Sequence, residues 1–185
     1  MELITISGGR LADLHNLTLD DMDIRIIGKA LSKLCRFGGH TDKFYSVAQH
    51  SVLVSKLLPP SLAFAGLMHD ASEAFVLDMP KPIKRTMPDY EELELEVMSQ
   101  IVAQYDLLDT MDNPQIKHAD MRALAIEMIN LFPADQIRQS YPWIDEYEIP
   151  EGQLLPMKPE HAEAHFIARF IEVAPPMLVA LMDLD

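Results

Sequence analysis

Four His and Asp side chains stand where separate predicted helices would direct them inward: His50, the adjacent pair His69 and Asp70, and Asp120. Neighbouring helical residues point about 100° apart, so the pair can meet one ion only if the ion lies beside its helix. Partners from other helices would then complete the coordination sphere. Two imidazoles and two carboxylates suit Mn, Fe, Co, Ni or Zn without selecting sharply among them, and we take Co, Mn or Zn as first candidates. The residues alone leave open the alternative that these histidines are hydrogen-bonded core residues.

Two further carboxylates follow the His-Asp pair. Glu73 comes four residues after His69 and three after Asp70, which puts it on the same helical face as the predicted ligands. A carboxylate there could orient or deprotonate a water molecule. Asp78 lies just beyond that predicted helix. For each of the two, a carboxylate that merely caps a helix end is the alternative.

Apolar periodicity predicts the elements that must position these side chains. Ser46 is a suitable N-cap for the helix that carries His50, and Pro59 and Pro60 would end that helix. The alternation and glycines of 4–9 suit a short strand or hairpin, and 132–157 reads as irregular. We predict helices over 20–34, 46–58, 61–76, 89–107, 115–132 and from 159 onward, with a rigid basic connector over 78–85. The expected fold class is therefore all-α for the most part, a helical bundle forming one domain over 1–185.

Composition limits the classes of function. With 15 Lys and Arg against 29 Asp and Glu, the net charge of −14 argues against long nucleic acids as partners, because that binding depends on neutralised phosphates. The single Cys35 allows no internal disulfide, and no signal peptide is recognisable, so a cytoplasmic location is expected. The apolar stretch over 173–182 is about half a membrane span and contains two prolines. No membrane association is predicted.

The order of these motifs resembles the H…HD…D signature of the HD-domain metal-dependent phosphohydrolases. Over most of the chain the sequence is similar to bacterial 5′-deoxynucleotidases, and closer still to their compact phage relatives, which include dATP triphosphohydrolases. The blocks that carry the resemblance are Cys35–His40, Tyr45–Ser51, His69–Ala74, Asp78–Lys84 and Lys117–Asp120. One departure is that Gly38 and Gly39 replace bulkier residues of the bacterial enzymes, so their substrate preference does not transfer directly.

The resemblance implies a role for each matched residue. The metal ligands would be His50, His69, Asp70 and Asp120. Glu73 would handle the attacking water, and Asp78 would position water or the leaving oxygen. The substrate-binding residues would be Arg36, Phe37 and Gly38 beside the sugar and phosphate, and Lys81 and Lys84 at the phosphate. A Mg ion could occupy a second, substrate-bound position.

The resemblance favours hydrolysis of dATP to deoxyadenosine and triphosphate. The alternative within the same family is a 5′-deoxynucleotidase acting on deoxynucleoside monophosphates, and an alternative of another class is a non-catalytic nucleotide-binding module of HD fold. The expected partner is a small-molecule deoxynucleotide, and the expected assembly is a homo-oligomer. The expected location is the cytoplasm, which would be the host cytoplasm if the gene is phage-encoded.

The acidic charge does not argue against such a substrate. Nine acidic and two basic residues fall within 145–185, a net of −7 that lies away from every predicted site residue. The segment 81–85 holds three cations in five positions. A dication and these lysines can together make a positive pocket within an acidic protein.

Three other histidines are weaker ligand candidates. His40 lies in a glycine-rich turn, where it could at most touch phosphate, and we rank it below His50. His161 and His165 have the i, i+4 spacing of a zinc-binding helix, but the sequence pattern indicates no carboxylate ligand near them.

Overall fold

A small hairpin and a succession of helices make up the fold in the computed structural model, which describes residues 3–150, 152 and 154–182. The helices are α1 (Ile24–Leu31), α2 (Val47–Lys56), α3 (Pro60–Met68), α4 (Glu73–Val76), α5 (Lys81–Lys84), α6 (Pro88–Gln104), α7 (Pro114–Leu131), α8 (Ala134–Ser140), α9 (Pro159–Val173) and α10 (Pro176–Leu181). The predicted fold class, mostly α with a short N-terminal hairpin, is confirmed.

The hairpin pairs β1 (Leu3–Ile6) with β2 (Arg10–Asp13) in antiparallel register, Ile6 opposite Arg10. A 3₁₀ turn joins the strands, and Gly8 and Gly9 adopt φ values of 81° and 76° there. Such left-handed backbone is accessible to glycine without the steric cost that a Cβ would impose.

Helix α2 lies at the centre of the bundle, packed against α3, α7 and α9. It is buried along nearly its whole length, from Val47 to Ser55. Ser46 caps it as predicted, its side chain accepting a hydrogen bond from the Gln49 amide. Because α2 is enclosed on several sides, a polar side chain on it must find partners inside the protein.

Helix α1 is shorter than the predicted 20–34. It begins at Ile24, since the Asp23 side chain accepts a hydrogen bond from the Arg25 amide and caps it there. Asp21 instead accepts bonds from the amide and hydroxyl of Thr18, which fold the preceding residues into a turn.

The prediction of one continuous helix over 61–76 was wrong. Helix α3 ends at Met68, and α4 begins only at Glu73. The His69 Nδ1 donates to the Gly66 carbonyl at 2.9 Å. The amides of Ala71 and Glu73 then donate to carbonyls three residues earlier, those of Met68 and Asp70, as in a 3₁₀ turn. The imidazole thus uses a carbonyl that an uninterrupted helix would need for its own ladder.

Other differences lie at the ends of elements. Asp106, with φ of 54°, lets the Leu107 amide bond back to the Val102 carbonyl and ends α6 three residues before the predicted position. The segment predicted as irregular contains α8 and a 3₁₀ turn over Pro142–Glu146, and the basic connector contains the single turn α5. Within the described part of the chain, no helix combines the length and apolarity that a membrane span requires.

Candidate metal centre

Three helical segments bring a cluster of ligand atoms together at one end of α2. His50 comes from α2, His69 from the turn after α3, and Asp120 from α7. One potential ligand atom from each lies within 4.8 Å of the others. This cluster could hold a metal ion.

Both imidazoles are fixed so that Nε2 faces the cluster. The Nδ1 of His50 contacts Glu127 at 2.7 Å, and the Nδ1 of His69 donates to the Gly66 carbonyl. The two Nε2 atoms are buried and have no hydrogen-bond partner among the described residues. A ring held through one nitrogen while the other points into a carboxylate cluster is the usual arrangement of a metal-ligating histidine.

Asp70 lies at the same place. Its Oδ2 is 3.1 Å from Nε2 of His69 and 3.4 Å from Nε2 of His50, while Oδ1 of Asp120 is 3.2 Å from Nε2 of His50. Donor atoms about 2.1 Å from one shared ion are separated from each other by roughly 3.0–3.4 Å. These three separations match that range, while the Nε2 of His69 lies farther from Oδ1 of Asp120, at 4.0 Å. Asp70 is thus placed beside the cluster of His50, His69 and Asp120 as a possible fourth ligand.

The charges of the cluster also suit a cation. Burial alone would raise the pKa of Asp70, but His69 and His50 hold it well below its usual value. Burial likewise opposes ionisation of Asp120, yet its contact with His50 lowers the pKa to about 2. Both carboxylates thus stay ionised at neutral pH. Burial opposes protonation of His50, but Glu127 and these two carboxylates raise its pKa well above the usual value, so a bound metal ion would replace that proton.

Glu127 is a member of the site to which the sequence pattern assigned no role. It lies two helical turns after Asp120 on α7 and is fully buried. Its Oε1 meets Nδ1 of His50 and accepts a 3.1 Å bond from the Tyr45 hydroxyl, while its Oε2 accepts a 2.9 Å bond from Arg36 Nη2. The sequence did contain a signal for this role. Glu127 lies on an otherwise apolar helical face, seven residues after the predicted ligand Asp120.

We expect Glu127→Ala to destabilise the protein by about 3–5 kcal/mol, because it leaves the Arg36 guanidinium and the His50 imidazole buried without their charge partner. Urea unfolding followed by circular dichroism measures the change. Glu148→Ala is the matched control, since Glu148 is 91% exposed and lies 3.7 Å from Arg122; its effect should stay within about 0.5 kcal/mol. Equal losses in the two variants would contradict the network.

The turn Arg36–Gly39 borders the cluster. An isolated bridge between Cys35 and Ser46 and a 2.9 Å bond from the Arg36 amide to the Tyr45 carbonyl fasten this turn to the start of α2. Phe37 and Gly38 have φ values of 55° and 59°, a left-handed pair that turns the chain sharply. Gly38 is exposed and does not line the adjoining cavity, so its contribution is to the shape of the turn.

A cavity of about 290 Å³ opens onto the cluster. The predicted site residues among its lining are Arg36, Phe37, Asp70, Glu73, Asp78, Lys81, Lys84 and Asp120. Glu94 of α6, which the sequence pattern did not single out, also lines it and pairs with Lys84. The Nζ of Lys81 lies 3.6 Å from Oδ2 of Asp120.

Two carboxylates of the cavity are held in surroundings that favour their protonated forms. Burial, and then the charges of Asp70 and Asp78, raise the pKa of Glu73 well above its usual value. Its Oε2 is buried, and no described group hydrogen-bonds to it. Burial also raises the pKa of Asp78. A carboxylate that titrates nearer neutrality is suited to exchange protons with water or a leaving group.

The three weaker histidine candidates do not belong to the described cluster. His40 is exposed at the end of the Arg36–Gly39 turn, and His161 and His165 are exposed on α9. The ranking of His50 above these three as a ligand candidate agrees with this placement.

The fold and the site define a mostly helical protein with a candidate metal centre beside a charged cavity. The chain is 36% identical over 178 residues to the uncharacterized protein YfdR of Escherichia coli K12, an alignment that covers 94% of this chain and 97% of that protein. It is also 33% identical over 132 residues to an uncharacterized protein of Rhodobacter capsulatus, covering 64% of this chain and 67% of that one. The chain therefore belongs to the family of YfdR. No protein-family model matches it.

Proposed function

We propose that this protein is a metal-dependent phosphohydrolase of the HD-domain type that acts on 2′-deoxynucleotides, with dATP as the first substrate candidate. One observation carries the proposal most directly. Among the described residues the buried Nε2 atoms of His50 and His69 have no hydrogen-bond partner, and they face the carboxylates of Asp70 and Asp120. These two carboxylates line a cavity that Arg36 also lines. Such an arrangement suits the binding of a divalent ion and of a phosphate beside it.

The ligands in this proposal are the four predicted ones. A Co, Mn or Zn ion bound by them would act as a Lewis acid on a phosphate oxygen, and a Mg ion could accompany the substrate at a second position. Glu73, which lines the cavity and whose Oε2 has no hydrogen-bond partner in the described part of the chain, accepts a proton from the attacking water. Asp78 orients that water or the leaving oxygen from the same cavity.

Substrate recognition in this proposal depends on the cations of the cavity and on Phe37 of the Arg36–Gly39 turn. Arg36 and Lys84 offset the charge of the phosphates, and Lys81 assists at the cavity mouth, where its side chain is 65% exposed. Phe37 is held by an edge-on contact with Phe132, the ring centroids 5.2 Å apart. A rigid aromatic wall there would border the sugar and leave a ribose 2′-hydroxyl unpaired and crowded.

The balance of charge in the cavity favours a second candidate, hydrolysis of deoxynucleoside monophosphates. Five lining carboxylates, those of Asp70, Glu73, Asp78, Glu94 and Asp120, face three lining cations. Each of these cations already lies beside a carboxylate: Lys84 pairs with Glu94, Arg36 with Glu127, and Lys81 lies 3.6 Å from Asp120. Even with a single divalent ion added, this positive charge suits the one phosphate of a monophosphate better than the three phosphates of a triphosphate.

A substrate panel tests both candidates. Purified protein with Co or Mn is incubated with the mono- and triphosphates of all deoxy- and ribonucleosides, and the products are identified by chromatography. We expect deoxyadenosine and triphosphate from dATP, with little turnover of ATP.

Activity confined to deoxynucleoside monophosphates would move the assignment to a 5′-deoxynucleotidase. No hydrolysis of any member, from protein shown to contain the metal, would contradict the proposed function and leave the non-catalytic binding module.

A further inference from the structure

Leu77, immediately before Asp78, has a backbone conformation that L-residues avoid. Its φ and ψ are 75° and 158°, outside the left-handed helical region that Phe37 occupies at 55° and 27°. A conformation of this kind persists only where its surroundings impose it. The leucine side chain is 59% exposed, so its own packing does not provide the restraint.

Two hydrogen bonds hold this peptide. The Leu77 amide donates to the Glu73 carbonyl at 2.9 Å, which closes α4. The Leu77 carbonyl accepts a 2.6 Å bond from the hydroxyl of Tyr90, in the first turn of α6. Among the described hydrogen bonds, the tyrosine bond is the one that ties the strained residue to another element of the fold.

The position of the next residue depends on this peptide. Asp78 is half-buried and lines the cavity beside Glu73. If Leu77 returned to an ordinary negative φ, the following peptide would rotate and carry the Asp78 carboxylate away from its present place. The Tyr90 ring also lies beside Lys84, with Nζ 5.8 Å from the ring centroid. One side chain of α6 therefore contacts both edges of the segment 77–84.

We propose that Tyr90 is a positioning residue, whose hydroxyl holds the strained Leu77 turn and so keeps the Asp78 carboxylate in the cavity. This inference rests on the proposed function for its catalytic meaning. It concerns a residue outside the predicted set of metal and substrate contacts.

Tyr90→Phe removes the hydroxyl but keeps the ring beside Lys84. We expect kcat to fall about tenfold as the strained turn relaxes, with KM nearly unchanged because the Lys84 contact remains. Adding Leu77→Gly should restore most of the lost kcat, since glycine adopts a positive φ without strain.

Tyr105→Phe is the matched control, because the Tyr105 hydroxyl also donates a 2.6 Å bond to a backbone carbonyl, that of Met22, in the core. It should lower thermal stability and leave kcat unchanged. Circular dichroism melts of all the variants show whether each is folded at the assay temperature.

Amide hydrogen exchange over residues 77–79 gives a readout that does not need catalysis. We expect faster exchange there in Tyr90→Phe and not in Tyr105→Phe. If the wild-type protein hydrolyses nothing, the proposed function fails, while faster exchange would still support the Tyr90 restraint. Unchanged exchange over 77–79 in Tyr90→Phe would overturn the inference, and so would an unchanged kcat in an active enzyme.

Discussion

Asp70→Ala is expected to yield a folded protein that retains no stoichiometric metal and has no phosphohydrolase activity. The Asp70 Oδ2 lies 3.1 Å and 3.4 Å from the two imidazole Nε2 atoms, so its removal opens one side of the cluster. It also removes one of the negative charges that make the site attractive to a dication. The change is measured by elemental analysis after dialysis against metal-containing and then metal-free buffer, together with the hydrolysis rate.

Asp42→Ala is the control for this experiment. Asp42 is an exposed aspartate of the loop before α2, and its removal changes the net charge by the same amount. Metal content and rate should match the wild type in this variant. Full activity in Asp70→Ala would show that the ligand assignment is wrong.

Glu73→Gln is expected to lower kcat by about 10²–10⁴-fold while the bound metal is retained, because it removes only the group proposed to take a proton from water. Glutamine has almost the same shape, and Glu73 is 8% exposed with one buried, unpartnered oxygen among the described contacts, so the fold should tolerate the change. Steady-state kinetics and metal analysis on the same sample separate the chemical step from metal loss.

Glu92→Gln provides the comparison, since Glu92 is exposed on α6 and makes the same change of charge. Its kcat should equal that of the wild type. A Glu73→Gln enzyme with near-normal kcat would remove Glu73 from the reaction and leave Asp78 as the remaining candidate base.

Two of the predicted ligands, His50 and Asp120, could be proposed from sequence because each lies on a periodic helix at an inward position. His50 on α2 is the clearest case, since Ser46 and the two prolines mark both ends of its helix and the periodicity fixes its face. Asp120 on α7 follows the same logic.

The local geometry at His69 could not be predicted in this way. The apolar spacing over 61–76 is that of one helix, and nothing in it signals that the His69 ring would bond to the Gly66 carbonyl and interrupt the ladder. The break depends on a side-chain contact, which periodicity does not describe.

Glu127 and Tyr90 show a second limit. Their partners lie 77 residues away at His50 and 13 residues away at Leu77, so their roles arise only when separate elements pack together. A pattern along one helix can show that Glu127 points inward, but it cannot show which groups meet it there.

Diffraction from crystals grown with Mn or Co, with data collected at the absorption edge of that metal, tests the central claim most directly. We expect one strong anomalous peak per chain, about 2.0–2.3 Å from Nε2 of His50, Nε2 of His69 and a carboxylate oxygen of Asp120. A fully occupied metal bound elsewhere, or crystals from metal-saturated solution with no peak at this cluster, would contradict the account.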